Sequence, residues 1–511
     1  MTPRASLATV VLVAAAVAAP AAAAPTSPDS GFGGDGKVLL HSGAHPEHLA
    51  DMVVLPKGKT LVLTATSTGP ALELWRLRAN GTPDPSFGGG DGMVAFAPAA
   101  DWDAMRLAVD PATGKSYVSA FIEGGANPVT VWRITAAGVL DTSYGGGSGS
   151  VTYNGRYIAG LATQPGGKLL MVGNDANAHT ANIWRLDNSG DPDPSFGAGG
   201  SRVLSNDVND AAEAVLVQPD RKIVVAGSHY DPTVSLATVY RLRKNGAFDP
   251  SFSGDGRTTI NPSSPGVTTS TVFAPALVLR PDGRLALAAG LNQNDGSFRT
   301  ALLVAGLKPN GKPDGKFGKH VVTQVASYSA SVALQRDGML LVGGLVPPTP
   351  SSTAAILRFT PKGALDSRWS GDGILPVPGT PGGHVLVGLA PTGRILAART
   401  VDNAIPDTEI LAFKGTKTPR CRGKLATQFG TKKADRIKGT SGADVLVGLG
   451  GKDKIRGRGG KDIICGNGGG DRLFGGPGND KIYGQGGNDL LVGNQGKDQL
   501  KGGPGKNKIR Q

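Results

Sequence analysis

Nine positions near the C-terminus could do chemistry by type and spacing alone. Asp435, Asp444, Asp453, Asp462, Asp471, Asp480, Asp489 and Asp498 stand nine residues apart, and Asn507 takes the next place. Two residues after each comes an apolar side chain, running from Ile437, Leu446 and Ile455 to Leu500 and Ile509. From Gly439 onward a glycine precedes each acidic position by five. This period suits a coil built from two nonapeptides. A short strand points its apolar residue into a narrow core, and the glycine-rich half turns the chain, because glycine accepts positive φ and close backbone approach. Stacked coils then align the carboxylates in two rows that repel one another unless a hard cation bridges them. Carboxylates and turn carbonyls are oxygen ligands suited to Ca²⁺, whereas Mg²⁺ demands a tighter octahedron and dehydrates reluctantly. Folding of such a tail should be coupled to the metal.

The motif, as in Gly475-Gly-Pro-Gly-Asn-Asp480, resembles the hemolysin-type, or RTX, calcium-binding repeat Gly-Gly-x-Gly-x-Asp-x-apolar-x over residues 431–511. The resemblance implies a parallel β-roll in which aspartates and turn carbonyls ligate calcium. Carried onto this chain, the ligands are Asp444, Asp453, Asp462, Asp471, Asp480, Asp489 and Asp498. Leu449 and Arg458 stand where glycine or asparagine is usual, and Asn507 is uncharged. These departures predict weak or empty sites in the first coil and at the end.

The rest of the chain must carry this tail, and it is itself repetitive. Asp84-Pro-Ser-Phe-Gly recurs as Asp29-Ser-Gly-Phe32, Asp141-Thr-Ser-Tyr144, Asp193-Pro-Ser-Phe196, Asp249-Pro-Ser-Phe252, Asp314-Gly-Lys-Phe317 and Asp366-Ser-Arg-Trp369. The seven aromatic residues are 55, 57, 52, 56, 65 and 52 apart, a period that calls for a repeat architecture. Gly 78 and Pro 36 in 511 residues could signal disorder, but they sit at fixed offsets beside apolar runs and so mark turns between short strands. In the first unit these runs are Lys37–Leu40, Leu49–Leu55, Lys59–Thr66 and Leu72–Arg78. Inner turns such as Gln218-Pro-Asp-Arg-Lys222 and Arg280-Pro-Asp-Gly-Arg284 read as antiparallel hairpin connections. Four strands in each of seven units predict an all-β chain: a seven-bladed β-propeller followed by the parallel β-roll. An open β-solenoid is the alternative, and the strand phase that would close the ring is open.

One arginine recurs on the fourth run, as Arg76, Arg133, Arg185, Arg241 and Arg358, with Gly306 breaking the pattern. A catalytic arginine is needed once or twice, so these are expected to serve turn or inter-unit hydrogen bonds. The repeated aromatic is expected to anchor neighbouring units. The Asp-x-Ser-Phe-Gly start, the Gln-Pro-Asp-Gly-Lys-type turn and the Arg-Leu-x-x-Asn-Gly end resemble the delta-60 repeat family over residues 29–415. That resemblance implies an exported propeller-like domain and carries no established chemistry.

Residues 1–24 read as a signal peptide: Arg4, an apolar run from Leu7 to Ala18, and Ala22-Ala-Ala24 as a cleavage site. The expected organisation is thus 1–24 signal, 29–415 propeller, 416–430 linker and 431–511 roll, in a secreted, soluble and monomeric protein with no transmembrane segment in the mature chain. Export permits a disulfide between the two cysteines, Cys421 and Cys465, with two separate buried thiols as the alternative. The chain is formally +13, and residues 421–511 hold 18 Lys/Arg against 8 Asp, or 18 − 8 = +10. Basic character in an exported protein points to an anionic cell-envelope polymer, acidic glycan or lipid surface, or to a solvated face without a partner. No aromatic-interleaved basic groove points to nucleic acid.

Few residues outside the tail have the types and spacing of an active site. His41, His45 and His48 form the one dense histidine group, which could hold a transition metal but reads better as a solvated segment. Gly88-Gly-Gly90 does not open a helix after a strand, and Ser143 and Ser195 lie in the repeated turn rather than in a nucleophile elbow. The expectation is a non-enzymatic calcium-binding protein that associates with a surface. The alternative is a secreted hydrolase or lyase with its site at the propeller centre.

Overall fold

The computed structural model describes residues 28–511 apart from 41–46, 67–71, 98–101, 123–127, 176–177, 179, 206, 208–209, 230–234, 264–269, 294–299, 324, 347–352, 368, 378–384, 402–406 and 416–418. The segment read as a signal peptide, and His41 and His45, therefore lie outside the described residues.

Seven four-stranded antiparallel sheets follow one another around a ring. The first blade is Glu47–Val54, Thr60–Thr66, Leu72–Leu77 and Met93–Ala97. Five more blades repeat that order along the chain. The seventh takes Leu386–Leu389, Ile395–Val401 and Asp407–Phe413 from the end of the repeats and Lys37–Leu40 from their start. Lys37 pairs with Leu411 and Leu40 with Thr408, so the ring is closed by a strand from the opposite end of the domain. Closure packs the apolar face of the last blade against the first, a face that an open stack would expose, and leaves only short blade edges. It also fixes the strand phase: each sequence repeat supplies the outer strand of one blade and the three inner strands of the next.

The first strands of successive blades touch all the way round, including the last against the first. In the first six blades this strand carries a register shift, as between Leu49 and Asp51 or Ala212 and Ala214. Polar groups near these bulges link neighbouring blades. Asp51 accepts the Leu107 N–H at 2.8 Å, Arg106 Nε donates to the Ala159 carbonyl at 2.5 Å, and Ser331 accepts the Val387 N–H at 2.9 Å.

The cores lie between blades. Phe32, Val62, Trp75, Leu396 and Ile410 form one such cluster, joining the last blade to the first. All seven repeated aromatics are at most 2% exposed. Each of the first five receives the turn glycine of the following blade: a Cβ on Gly138 would lie 2.8 Å from the Phe87 ring, and one on Gly190 would lie 2.9 Å from Tyr144. Glycine is required there twice over, since φ is +81° and +100° at these positions.

The C-terminal coils form two five-stranded parallel sheets. One holds Gln428–Phe429, Val445–Val447, Ile463–Gly468, Lys481–Gly486 and Gln499–Lys501. The other holds Arg436–Lys438, Lys454–Arg456, Arg472–Phe474, Leu490–Val492 and Lys508–Arg510. Partners are eighteen residues apart, as Ile464 with Ile482 and Ile455 with Leu473. Seven residues from Ile437 to Leu491 fill the interior, whereas Ile509 is 50% exposed. Pairing begins within the stretch read as a linker: Arg420–Cys421 and Lys424–Leu425 form a hairpin whose Cys421 is disulfide-bonded to Cys465. The Arg336 guanidinium holds the Ala426 carbonyl, tying that hairpin to the ring. No helix among the described residues is long and apolar enough to cross a membrane.

Candidate metal centre

The nine-residue period places the aspartates at the start of each short strand, in two rows. Within a row the backbone N–H of one aspartate donates to Oδ1 of the next, as Asp444 to Asp462, Asp453 to Asp471, Asp462 to Asp480 and Asp471 to Asp489, each at 2.8 Å. Coils stacked in this way put successive carboxylates about 4.8 Å apart. One oxygen of each is thereby spoken for. The other, Oδ2 of Asp453, Asp462, Asp471, Asp480, Asp489 and Asp498, is buried without a hydrogen-bond partner.

Those oxygens converge with backbone carbonyls. A Cβ placed on Gly457 would lie 2.1 Å from Asp462 Oδ2 and 2.5 Å from the Gly475 carbonyl oxygen; one on Gly475 would lie 2.2 Å from Asp480 Oδ2 and 2.8 Å from the Gly493 carbonyl. The glycine five residues before each aspartate is thus needed for space, and the space is lined by oxygen. Burial pushes the Asp462 carboxyl up to about 7, with Asp480 and Asp444 adding to the rise against the hydrogen bond from the Asp444 N–H. Burial likewise pushes Asp453 up to about 6, with Asp471 and Asp435 contributing, and raises Asp471, Asp480 and Asp489. Buried, mutually repelling carboxylates with orphan oxygens beside carbonyls fit a hard divalent cation.

The first two copies differ. Asp435 Oδ2 accepts the N–H and hydroxyl of Thr431 at 2.6 and 2.9 Å, and Asp444 Oδ2 accepts those of Thr440 at 2.6 and 2.9 Å. Asp444 Oδ1 also accepts the Thr427 hydroxyl at 3.1 Å. Both oxygens of Asp444, expected as a ligand, are therefore engaged by protein groups. Leu449 and Arg458, the noted departures, take φ of +79° and +82° and keep the turn that glycine would make. Threonine four residues before the aspartate is the signal that distinguishes the first coil, and it was readable in the sequence.

The ring buries its own aspartates with a different outcome. Asp84 Oδ2 is held by Arg76 Nε at 2.7 Å and Lys59 Nζ at 2.6 Å, while Oδ1 accepts the Ser86 hydroxyl at 2.9 Å. Burial opposes that charge, yet the Lys59, Ser86 and Arg76 contacts outweigh it and hold Asp84 well below the usual carboxylate range. Asp141, Asp193 and Asp249 repeat the arrangement with Arg133, Arg185 and Arg241. Each arginine stacks on its aromatic, 4.5 Å from the Phe87 ring centre in the first blade, and donates to a carbonyl of the following blade, as Arg133 to Asn188 at 2.5 Å. These arginines do serve inter-unit hydrogen bonding.

Where the strand arginine is missing, its work moves to the hairpin. In the fifth blade Arg284 Nε lies 3.1 Å from Asp314, and Arg280 stacks on Phe317 and donates to the Pro361 carbonyl at 3.3 Å. In the seventh, Arg394 Nε binds Asp29 at 2.7 Å and stacks on Phe32. Arg284 and Arg394 occupy the place of Lys59, so an arginine for a lysine at that turn marks the compensation.

Among the described residues one further group could ligate a metal: Asp207, Asp210 and His229, whose ligand atoms lie within 4.8 Å of one another. Its charge is already answered. Asp210 contacts His229 Nδ1 directly, accepts the Tyr240 hydroxyl at 3.2 Å and faces Arg257 at 3.7 Å.

Residues 429–464 and 466–509 match the RTX calcium-binding nonapeptide repeat. Residues 56–87, 164–196 and 218–252 match a β-propeller described as a domain of unknown function, DUF5122. Among curated proteins none matches the chain. Solved structures resemble the chain at low identity. One from a study of two prolyl endopeptidases is 12% identical, with a TM-score of 0.43, and covers 77% of this chain and 55% of its own, so the chain spans about half of that protein. The polysaccharide lyase Uly1 is 10% identical, with a TM-score of 0.38, over 73% of this chain and 91% of its own. A calcium-binding protein, regucalcin, from Agrobacterium tumefaciens is 12% identical, with a TM-score of 0.33, over 61% of this chain and 91% of its own.

Proposed function

We propose that this chain, a DUF5122-type propeller followed by RTX calcium-binding repeats, is an exported, non-enzymatic calcium-binding protein that associates with an anionic surface polymer. Asp453, Asp462, Asp471, Asp480, Asp489 and Asp498, with the carbonyls of the intervening turns, would hold the calcium. Asp444 sits outside that set because Thr440 and Thr427 satisfy it. The observation that carries the reading is the run of six buried carboxylate oxygens without a partner. Calcium there would supply the charge that offsets those carboxylates, so that the roll presents its outer faces in a fixed geometry while the propeller acts as a rigid carrier.

The test is calorimetric titration of the full-length protein, stripped with EDTA, against calcium and magnesium, followed in parallel by circular dichroism. Saturable calcium binding with a gain of β signal is expected, with magnesium far weaker. Asp462→Asn with Asp480→Asn should lower the calcium stoichiometry, while Thr440→Ala should leave it unchanged or raise it. A calcium isotherm without heat, or one unaltered by the double substitution, would refute the assignment.

A further inference from the structure

The two outer faces of the roll are chemically unlike. On the first sheet the outward positions are Val445, Ile463, Lys481 and Gln499 in one column, and Val447, Cys465, Tyr483 and Lys501 in the other. That face is largely apolar, and the disulfide-linked hairpin packs on it through Cys421 and Ala426. On the second sheet the outward columns are Arg436, Lys454, Arg472, Leu490 and Lys508, and Lys438, Arg456, Phe474, Val492 and Arg510. Seven of these ten side chains are cationic and none is acidic. Solubility alone would spread charge over both faces and mix its sign. Like charges set in register on neighbouring strands destabilise a sheet, so this face is built at a cost to the fold.

We infer that the outer face of the second sheet is a docking surface for a linear acidic polysaccharide. Strands about 4.8 Å apart put Arg436, Lys454 and Arg472 in an evenly stepped row, and Lys438 and Arg456 in a second row two residues along. A chain carrying one carboxylate or sulfate per sugar, laid along the stacking axis, meets a cation at each step. Phe474 and Val492, half-buried between the cationic ends of the second row, offer an apolar surface to the C–H face of a sugar ring; the Arg456 guanidinium lies 5.8 Å from the Phe474 ring centre. The row runs into a cleft at the ring, where Lys438, Arg456 and Arg458 face Arg284, Pro309 and Asp282. Nucleic acid fits less well, because its charges recur about every 3.4 Å along a strand and the face has a single aromatic rather than a stacking series. A bilayer surface fits less well because the face offers no protruding apolar edge to insert.

This inference rests on the calcium-folded roll, and the experiment separates the two. Full-length protein in millimolar calcium is applied to immobilised chondroitin sulfate and eluted with salt. Arg436→Gln/Lys454→Gln/Arg472→Gln should lose roughly tenfold or more in affinity and show a shallower salt dependence. The charge-matched control Lys432→Gln/Lys433→Gln/Lys497→Gln, on exposed turns, should lose no more than about threefold. Arg436→Lys/Arg472→Lys, which keeps the charge, should stay near the parent. Equal loss in both triple variants would reduce the effect to net charge and overturn the surface. Tighter, face-dependent binding to phosphatidylserine vesicles or to DNA would overturn the polysaccharide. Circular dichroism in calcium is read on every variant. A normal calcium response without retention sinks the docking surface alone, whereas face-dependent retention without a calcium response sinks the calcium reading alone.

Discussion

Ring and roll both bury rows of aspartates, and they neutralise them in opposite ways. In the ring each repeated aspartate meets cations from its own chain: Asp193 has Arg185 at 2.8 Å and Lys168 at 2.5 Å. In the roll Asp462, 1% exposed, has the Asp444 backbone N–H on one oxygen and nothing on the other, although lysines and arginines abound on the same coils. The geometry of the repeat decides this. In a blade, a hairpin returns a basic side chain to the acidic turn. In a nonapeptide coil the basic residues flank the apolar position and point outward, so they cannot reach the inward-facing carboxylates. The ring therefore carries its counter-ions covalently, and the roll must take them from solution.

The largest effect should come from removing calcium. All five tryptophans lie in the ring, at 75, 102, 132, 184 and 369, so their fluorescence reports that domain alone. EDTA should abolish most of the roll's β signal and open residues 431–511 to protease, with tryptophan emission unchanged. Loss of both signals together would mean that the ring depends on calcium too. The converse substitution sharpens the comparison. Asp193→Ala leaves Arg185 buried and unpaired and should lower ring stability by about 3–5 kcal/mol in calcium and in EDTA alike. Denaturant unfolding followed by tryptophan emission measures it, and a calcium-dependent loss would contradict the division of labour.

A smaller effect belongs to the hairpin that joins the two regions. The Cys421–Cys465 bridge closes a span of 44 residues, which on a chain-entropy account stabilises the roll by roughly 3–4 kcal/mol. Cys421→Ala with Cys465→Ala should raise the calcium concentration needed to fold the roll without moving the ring's unfolding midpoint. An unchanged calcium midpoint would show that packing against Val447 and Ala426 suffices without the bond.

Much of this was legible from spacing. The nine-residue ladder, the seven repeats and the inter-unit arginines follow from types at fixed offsets, while the Cys421–Cys465 bond was only permitted by export and is formed in the structure. What escaped were features of relative phase. Lys37–Leu40 reads as the opening strand of the first repeat, yet it pairs with Asp407–Phe413, because a closed ring makes the choice of starting strand arbitrary within the repeat. The motif comparison pointed to Leu449 and Arg458, whereas Thr431 and Thr440 alter the chemistry by supplying a hydroxyl that satisfies the carboxylate. The cationic face was hidden in a net charge, and only the strand register separates seven outward cations on one sheet from two on the other.

The last and smallest effect is on pH, where the two rows should respond with opposite signs. In the ring, Asp249 is held at about 2, with Asp84, Asp141 and Asp193 lower still. Carboxyls depressed in the fold stabilise it fully above the unfolded value of about 3.9, and that contribution is lost as pH falls toward 2. In the metal-free roll, Asp453 and Asp462 are raised to about 6 and about 7. The folded coils then hold more protons than the unfolded chain between about 4 and 7, so their stability falls as pH rises through that window. In EDTA, lowering pH from about 8 to about 5 should restore part of the roll's β signal, with protons standing in for the cation, and leave tryptophan emission untouched. With calcium present the same change should weaken the roll, because protons compete for the ligand oxygens. A metal-free roll that lost structure on acidification would mean that its buried aspartates are paired within the chain after all, as they are in the ring.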